Sequence, residues 1–179
     1  KDADNIYNKV TNNKNNIGIV SAVSIYNKIS SEEASELSNI NFITVTSYNY
    51  IFFLTNKISN ITNFRELNNK TINIGKKGSD SYKFGESIIS NTKRMIQGEF
   101  NVKTTNYENN EAFIKLKNNE INAVVICDFF PNVEIQKLIF NDLQKEILLL
   151  PINFLNEDLF MNRHPYAKKV VLDLNLIES

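Results

Sequence analysis

From Thr62 to Leu150 the hydrophobic pattern switches repeatedly between strand and helix periods, and this alternation limits the folds open to the chain more than any other feature. Thr62 to Leu67 reads as a short helix, Thr71 to Ile74 as a strand and Ser81 to Ser90 as a helix. Val102 to Thr105 then reads as a strand, Glu108 to Lys117 as an amphipathic helix, Ala123 to Cys127 as a strand, Asn132 to Phe140 as a helix and Ile147 to Leu150 as a strand. Strands separated by helices need crossover connections, hence a largely parallel sheet covered by helices, which is the α/β class. In the Glu108 helix, Ala112, Phe113 and Leu116 make one apolar stripe while Glu108, Lys115 and Lys117 stay wet.

Outside that stretch the pattern is less regular. The polar cluster Asn12 to Asn16 ends at Ile17-Gly18-Ile19-Val20, a β-branched run that predicts a buried strand. Ser30-Ser31 before Glu32-Glu33 supplies the hydroxyl cap and acidic first turn of a short helix reaching Leu37. Phe42 to Val45 and Tyr50 to Leu54 have strand composition, separated by the polar turn Ser47-Tyr48-Asn49. Beyond Pro151 the pattern weakens, and Pro165 is placed to open a last helix carrying Tyr166, Val170, Val171 and Leu174.

Composition removes several function classes. With 20 basic and 20 acidic side chains in 179 residues and only short charge runs, the chain has no basic face for a phosphate backbone, so nucleic acid is not an expected partner. The single cysteine, Cys127, rules out an intrachain disulfide and a thiolate metal cage. Its neighbours Val124, Val125 and Ile126 mark it as a small buried residue. The single histidine, His164, stands beside Arg163 and Pro165 and reads as an exposed turn or helix-start residue. One His, one Cys and no nucleophile–base spacing point away from an enzyme; no catalytic residue, metal or cofactor is expected. No run approaches the roughly 18 apolar residues of a membrane-spanning helix. A first residue Lys1 fits a mature, processed or truncated product. The heavy use of asparagine, isoleucine and lysine against 5 glycines reflects nucleotide content rather than function.

The stretch Ile72-Asn73-Ile74-Gly75-Lys76-Lys77-Gly78-Ser79-Asp80-Ser81 carries the most chemistry. A buried strand runs into a glycine-containing loop and then a helix, and in open α/β sheets small molecules sit beyond the carboxyl ends of strands, near unpaired N–H groups at a helix start. Gly75 and Gly78 permit tight turning, Ser79 and Ser81 offer hydroxyls, and Lys76 or Lys77 offers charge for a carboxylate. The same residues also serve any strand-to-helix connection for structural reasons alone. Neither GxxxxGK[ST] nor GxGxxG is present, so the loop is no nucleotide P-loop.

In this loop and around it, the chain resembles the TAXI family of TRAP-transporter solute receptors. Asn16-Ile17-Gly18-Ile19-Val20-Ser21-Ala22 is similar to the family's strand and loop reading "dlGivqsd", and Ser47-Tyr48-Asn49-Tyr50 stands where its Leu-Tyr-Pro-Glu-like segment falls, with Tyr48 retained. Arg65 to Gly75 resembles its "aDLkGKrVsvG" element, and Gly78-Ser79-Asp80-Ser81 its Gly-Ser-Gly-Thr loop with Asp80 in place of the second glycine. Leu116 to Val125 resembles "lkdGkiDAff", followed by Pro131.

The resemblance implies a type II periplasmic-binding-protein-like α/β fold with mostly parallel sheets in two lobes. Residues 1–53 and 149–179 would form the first lobe, incomplete because the family's opening strand and glycine-rich loop precede the position of Lys1, and residues 54–148 the second. It implies a non-enzymatic receptor that clamps a small organic anion or amino acid for membrane transporter subunits, periplasmic or exported. Tyr48, Lys77, Gly78, Ser79, Asp80, Ser81 and Asp128 would hold the ligand, with Asp128 or Phe129 on the far wall. Asp80 opposes an anionic ligand unless Lys76 or Lys77 offsets it. The alternative is a decayed pocket, with the fold kept as a structural subunit beside neighbouring subunits of an assembly.

Overall fold

The computed structural model describes residues 6, 8–10, 12, 16–30, 40–41, 43–45, 47–96, 98–129, 137, 146–150, 152 and 157–170. Among them lie five strands, β1 (Asn49–Asn56), β2 (Thr71–Asn73), β3 (Lys103–Thr105), β4 (Ala123–Phe129) and β5 (Ile147–Leu149), in one sheet of order β3-β2-β4-β1-β5. β2 runs parallel to β3 and β4, whereas β1 is antiparallel to both β4 and β5, so β1 alone opposes the common direction. The principal helices are α1 (Ala22–Ile29), α2 (Asp80–Met95), α3 (Asn109–Lys117) and α4 (Glu157–Arg163).

Strand alternation builds the two cores. On β1, Phe53 faces α2 while Phe52 and Leu54 face α3; on β4, Ala123 and Val125 face α2 while Val124 and Ile126 face α3. Phe84 and Ile88 of α2 close the first layer, and Ala112, Phe113 and Leu116 of α3 close the second, as the predicted stripe requires. Because β1 and β4 are covered on both faces, their inner halves read as unbroken apolar runs. Helices on both faces of a sheet are the α/β class that the alternation predicts, but the sheet is mixed rather than largely parallel, because β1, inside it, makes two antiparallel ladders.

Glycine and asparagine set the close approaches. A Cβ on Gly85 would lie 2.6 Å from both Cβ and Cγ2 of Ile74, so this position lets α2 settle directly on the chain leaving β2. Asn60, Asn69 and Asn119, with φ of 52°, 59° and 59°, take left-handed turns that glycine usually fills. Asn119 closes α3 in a Schellman arrangement: its N–H donates to Leu116 O (3.1 Å) and that of Glu120 to Lys115 O (2.9 Å). The asparagine excess therefore has a structural use beyond nucleotide content.

Several expectations need correcting. Residues 17–20 form no strand, and Ile17 and Ile19 are 83% and 71% exposed; the described part of 42–45 is likewise exposed and unpaired. β-propensity is realised only by packing on a sheet, and neither segment pairs with any of the five strands. Ser21 instead caps a helix that the sequence reading missed, α1, by accepting from Ser24 N–H. Residues 165–170 form no helix, and the one described there, α4, precedes Pro165: it ends at Arg163, His164 N–H donates to Phe160 O (3.0 Å), and a proline disfavours helical backbone in the residue before it. Over 62–67 only Phe64–Leu67 is helical, as a 3-10 turn. The helices predicted over 31–37 and 132–140 lie outside the described residues, Lys137 excepted, as do Phe42 and 171–174.

Candidate functional site

β2 and β4 end at the same side of the sheet, and the loop from Gly75 to Ser79 carries the chain from β2 into α2 there. Ser79 N–H donates to Lys76 O (3.0 Å), closing a four-residue turn whose third position, Gly78, has φ +83°, the value a type II turn demands. Gly75, at φ +81°, leaves no room for a side chain, since a Cβ would lie 2.7 Å from Ser81 Cβ. Ser79 Oγ accepts from Tyr82 N–H (3.2 Å) and so caps α2. Ser81 is buried beneath the loop, its Oγ accepting from Cys127 N–H (2.8 Å). β2 stops pairing with β4 at Val124, and the Ser81 hydroxyl takes over where that strand has ended.

The β3–α3 connection is fixed by Asn73, which is fully buried. Its Oδ1 accepts from Tyr107 N–H (2.7 Å) and Thr105 Oγ1 (3.2 Å), and its Nδ2 donates to Tyr107 O (3.2 Å). One side chain thus extends the β2–β3 ladder past its last backbone pair.

Beyond these strand ends lies a cleft of about 250 Å³. Gly78, Ser79, Asp80 and Cys127 form one wall, and Ile19, Val20, Ser21 and Ser24 of the segment entering α1 form the other. The walls are joined: Ser21 Oγ donates to Asp80 Oδ1 (2.8 Å). Because the Ser21 proton is committed to the carboxylate, Ser24 Oγ must donate across its 3.0 Å contact with Ser21 Oγ. Ser24 Oγ in turn accepts from Lys83 Nζ (2.7 Å), one helical turn after Asp80. Protons therefore point one way along Lys83, Ser24, Ser21 and Asp80. Among the described residues no cation forms an ion pair with Asp80.

Of the residues that the sequence singles out, Gly78, Ser79 and Asp80 line this cleft. Ser81 lies below it with its hydroxyl engaged by Cys127. Lys77 is exposed at the turn, while Lys76 pairs on the surface with Glu108 (2.9 Å). Tyr48 is 78% exposed and Asp128 is half-buried at the end of β4, its Oδ1 accepting from Phe129 N–H (2.8 Å); neither lines the cleft. Val20, Ser21 and Ser24 were not foreseen as wall residues. Their signal was the serine just before an amphipathic octamer, with a second serine three positions on.

Cys127 faces the cleft as an inert thiol: burial, and then the charges of Asp80 and Asp128, push its pKa far above the ordinary thiol range. A second, shallower groove of about 530 Å³ runs along the outer face of α2 past Glu86, Ser87, Ser90 and Lys93.

His164 is half-buried and bonded, not exposed as its sequence neighbours suggest. Its Nε2 lies 2.5 Å from Ser87 Oγ and its Nδ1 2.7 Å from Tyr166 Oη. Those distances suit a nucleophile–base pair, but Ser87 sits in the middle of α2, where helix bonding consumes the backbone N–H groups that an oxyanion would need. Among the described residues no three His, Cys, Asp or Glu side chains gather as a metal set, and no helix is long and apolar enough to cross a membrane.

Comparison with solved structures gives distant likenesses. A substrate-binding protein of an ABC uptake transporter from Streptococcus pneumoniae, crystallised with bound histidine, aligns at TM-score 0.48 and 17% identity, over 84% of this chain and 65% of that one. A polar amino acid ABC uptake transporter substrate-binding protein from Streptococcus thermophilus aligns at 0.43 and 17%, over 69% and 44%. The solute receptor for L-cysteine of Neisseria gonorrhoeae aligns at 0.42 and 17%, over 60% and 38%. The chain thus spans between 38% and 65% of the length of these three structures. No curated protein matches it in sequence. The sequence pattern of the NMT1-like family, by contrast, matches residues 3–176, nearly the whole chain. The chain belongs to the NMT1-like family.

Proposed function

We propose that this chain is a solute-binding polypeptide that takes a small amine-bearing solute of the amino acid class into the cleft between residues 19–24 and the Gly78–Asp80 turn. The observation that carries this reading is the Asp80 carboxylate, held at the cleft wall by a serine hydroxyl rather than by a cation. A negative charge so placed attracts an ammonium group and repels a fully anionic solute. The start of the 16-residue helix α2 at the same wall favours a carboxylate. An amino acid zwitterion satisfies both. The volume of about 250 Å³ suits a small solute, being just below the roughly 300 Å³ at which drug-sized pockets begin. The earlier resemblance to TAXI receptors supports delivery to a membrane transporter outside the cytoplasm, with flanking segments and sheet closing around the solute.

Thermal unfolding against amino acids, their amine-free analogues and dicarboxylates tests the reading. A bound solute at 100 times its Kd adds about 2.7 kcal/mol by mass action. Stabilisation by amine-bearing solutes is expected. One observation favours a second reading, a scaffold whose pocket has closed: the hydroxyls of Ser21, Ser24, Ser79 and Ser81 are all engaged within the fold. Absence of stabilisation by every compound would select it.

A further inference from the structure

We propose that His164 is an acid-sensitive clamp: the bridge Ser87–His164–Tyr166 holds residues 157–170 against α2 at neutral pH and releases them as the imidazole gains a proton. The geometry is that of a docking seam. Along one face of α2, Asp80 and Lys83 hold Ser21 and Ser24 of the segment before β1, and Phe84 and Ser87 hold Tyr166 and His164 of the segment after β5. The two segments also meet each other, through the Tyr26 and Tyr166 rings at 5.2 Å. The flanks on either side of the sheet region therefore share one helix face, and His164 is the titratable residue at its far end.

A neutral imidazole has one donor and one acceptor nitrogen, and two hydroxyls, each able to give or take, match it in either tautomer. A protonated ring must donate from both nitrogens, forcing both hydroxyls to accept. The remaining surroundings do not welcome that charge. Phe160 and Phe84 lie against the ring at 4.4 and 5.8 Å, and Arg163 adds a like charge beside it. Burial, then Arg163, holds the His164 pKa below its ordinary value. The other groups facing the cluster give no compensation: Tyr166 is kept neutral by burial, its pKa raised to about 12; Tyr26 is a second phenol; Lys83 is a cation bonded to Ser24. Asp80, the nearby carboxylate, is bonded to Ser21. A folded pKa below the unfolded one means that the clamp's contribution is present above the unfolded value, about 6.5, and is lost as pH falls toward the folded value.

The single histidine makes the test clean. NMR titration of its imidazole resonances in the whole chain gives the folded pKa directly, while amide exchange of residues 157–170 is followed over the same pH range. The proposal expects a midpoint below 6.5 and faster exchange of those amides once the ring is charged, by the factor of ten per pKa unit that the measured midpoint lies below 6.5, with β1 and β4 amides unchanged after correction for intrinsic pH dependence. His164→Gln, which keeps a donor and an acceptor but does not titrate, is expected to remove the pH dependence. A midpoint at or above 6.5, exchange indifferent to the titration, or the same acid response in His164→Gln overturns it. If that variant fails to fold, the wild-type titration and exchange decide alone. Neither result depends on whether the cleft binds a solute.

Discussion

Ser21 Oγ donates to Asp80 Oδ1 across 2.8 Å, joining the N-terminal cap of α1 to the first residue of α2 over a gap of 59 positions in the chain. Two residues that sequence reading treats as separate loop polar groups are thus the two lips of one cleft. Ser21 also accepts from Ser24 N–H, so a single hydroxyl caps a helix and closes the cleft.

Ser21→Ala removes both roles. Loss of a serine cap costs about 1 kcal/mol, and Asp80 loses its donor. Amide exchange of residues 22–26 is expected to quicken while β1 amides, in the doubly covered part of the sheet, stay protected. Equal acceleration in both regions would show that α1 has no separate stability.

Gly85→Ala tests the contact between α2 and the end of β2. The added methyl meets Ile74 at 2.6 Å, an overpacking that costs about 1–3 kcal/mol, against the gain in helix propensity that an open helical site would give. Urea unfolding is expected to show a lower midpoint at unchanged slope. An unchanged or higher midpoint contradicts the packing described.

Asn73→Ala leaves the Tyr107 N–H and carbonyl without their buried partner. An orphaned buried polar group costs roughly 1–3 kcal/mol, more than removing the small side chain itself. Chemical denaturation measures the loss; a cost within experimental error would mean that the β3–α3 connection is held by something else.

The thiol of Cys127 is expected to resist thiol-specific reagents at pH 8 in the folded chain and to react at the rate of opening, because burial and two carboxylates disfavour the thiolate. Labelling followed by mass spectrometry across a urea series distinguishes this from fast reaction of an accessible group. Prompt labelling in native buffer contradicts the placement.

Legibility in the sequence followed local pattern. The α2–β4–α3 sandwich was readable because Ala123 to Cys127 is an unbroken apolar run of strand length, and because Ala112, Phe113 and Leu116 share a helical stripe. The turn at Gly75–Gly78 was readable because only glycine takes those positive φ values cheaply. What failed was non-local. Ile17 to Val20 has strand composition, yet β-propensity is realised only by packing on a sheet, and this segment pairs with none of the five strands. The second cleft wall depended on a serine meeting a carboxylate from a distant element, and His164 owes its bonded, half-buried place to Phe84 and to Ser87, 77 positions away on α2, as well as to Phe160 four residues before it. Such pairings leave no periodic trace.

The account turns on the charge at Asp80. Calorimetric titration of the chain and of Asp80→Asn, which keeps the oxygen that accepts from Ser21 but not the charge, with an amino acid and its amine-free hydroxy-acid counterpart, reads that charge directly. Binding of the amino acid by the parent chain, at least tenfold weaker in Asp80→Asn and at least tenfold weaker for the hydroxy acid, is the predicted result. Equal affinity of both chains for the amino acid, or preference of the parent for the hydroxy acid, would contradict it.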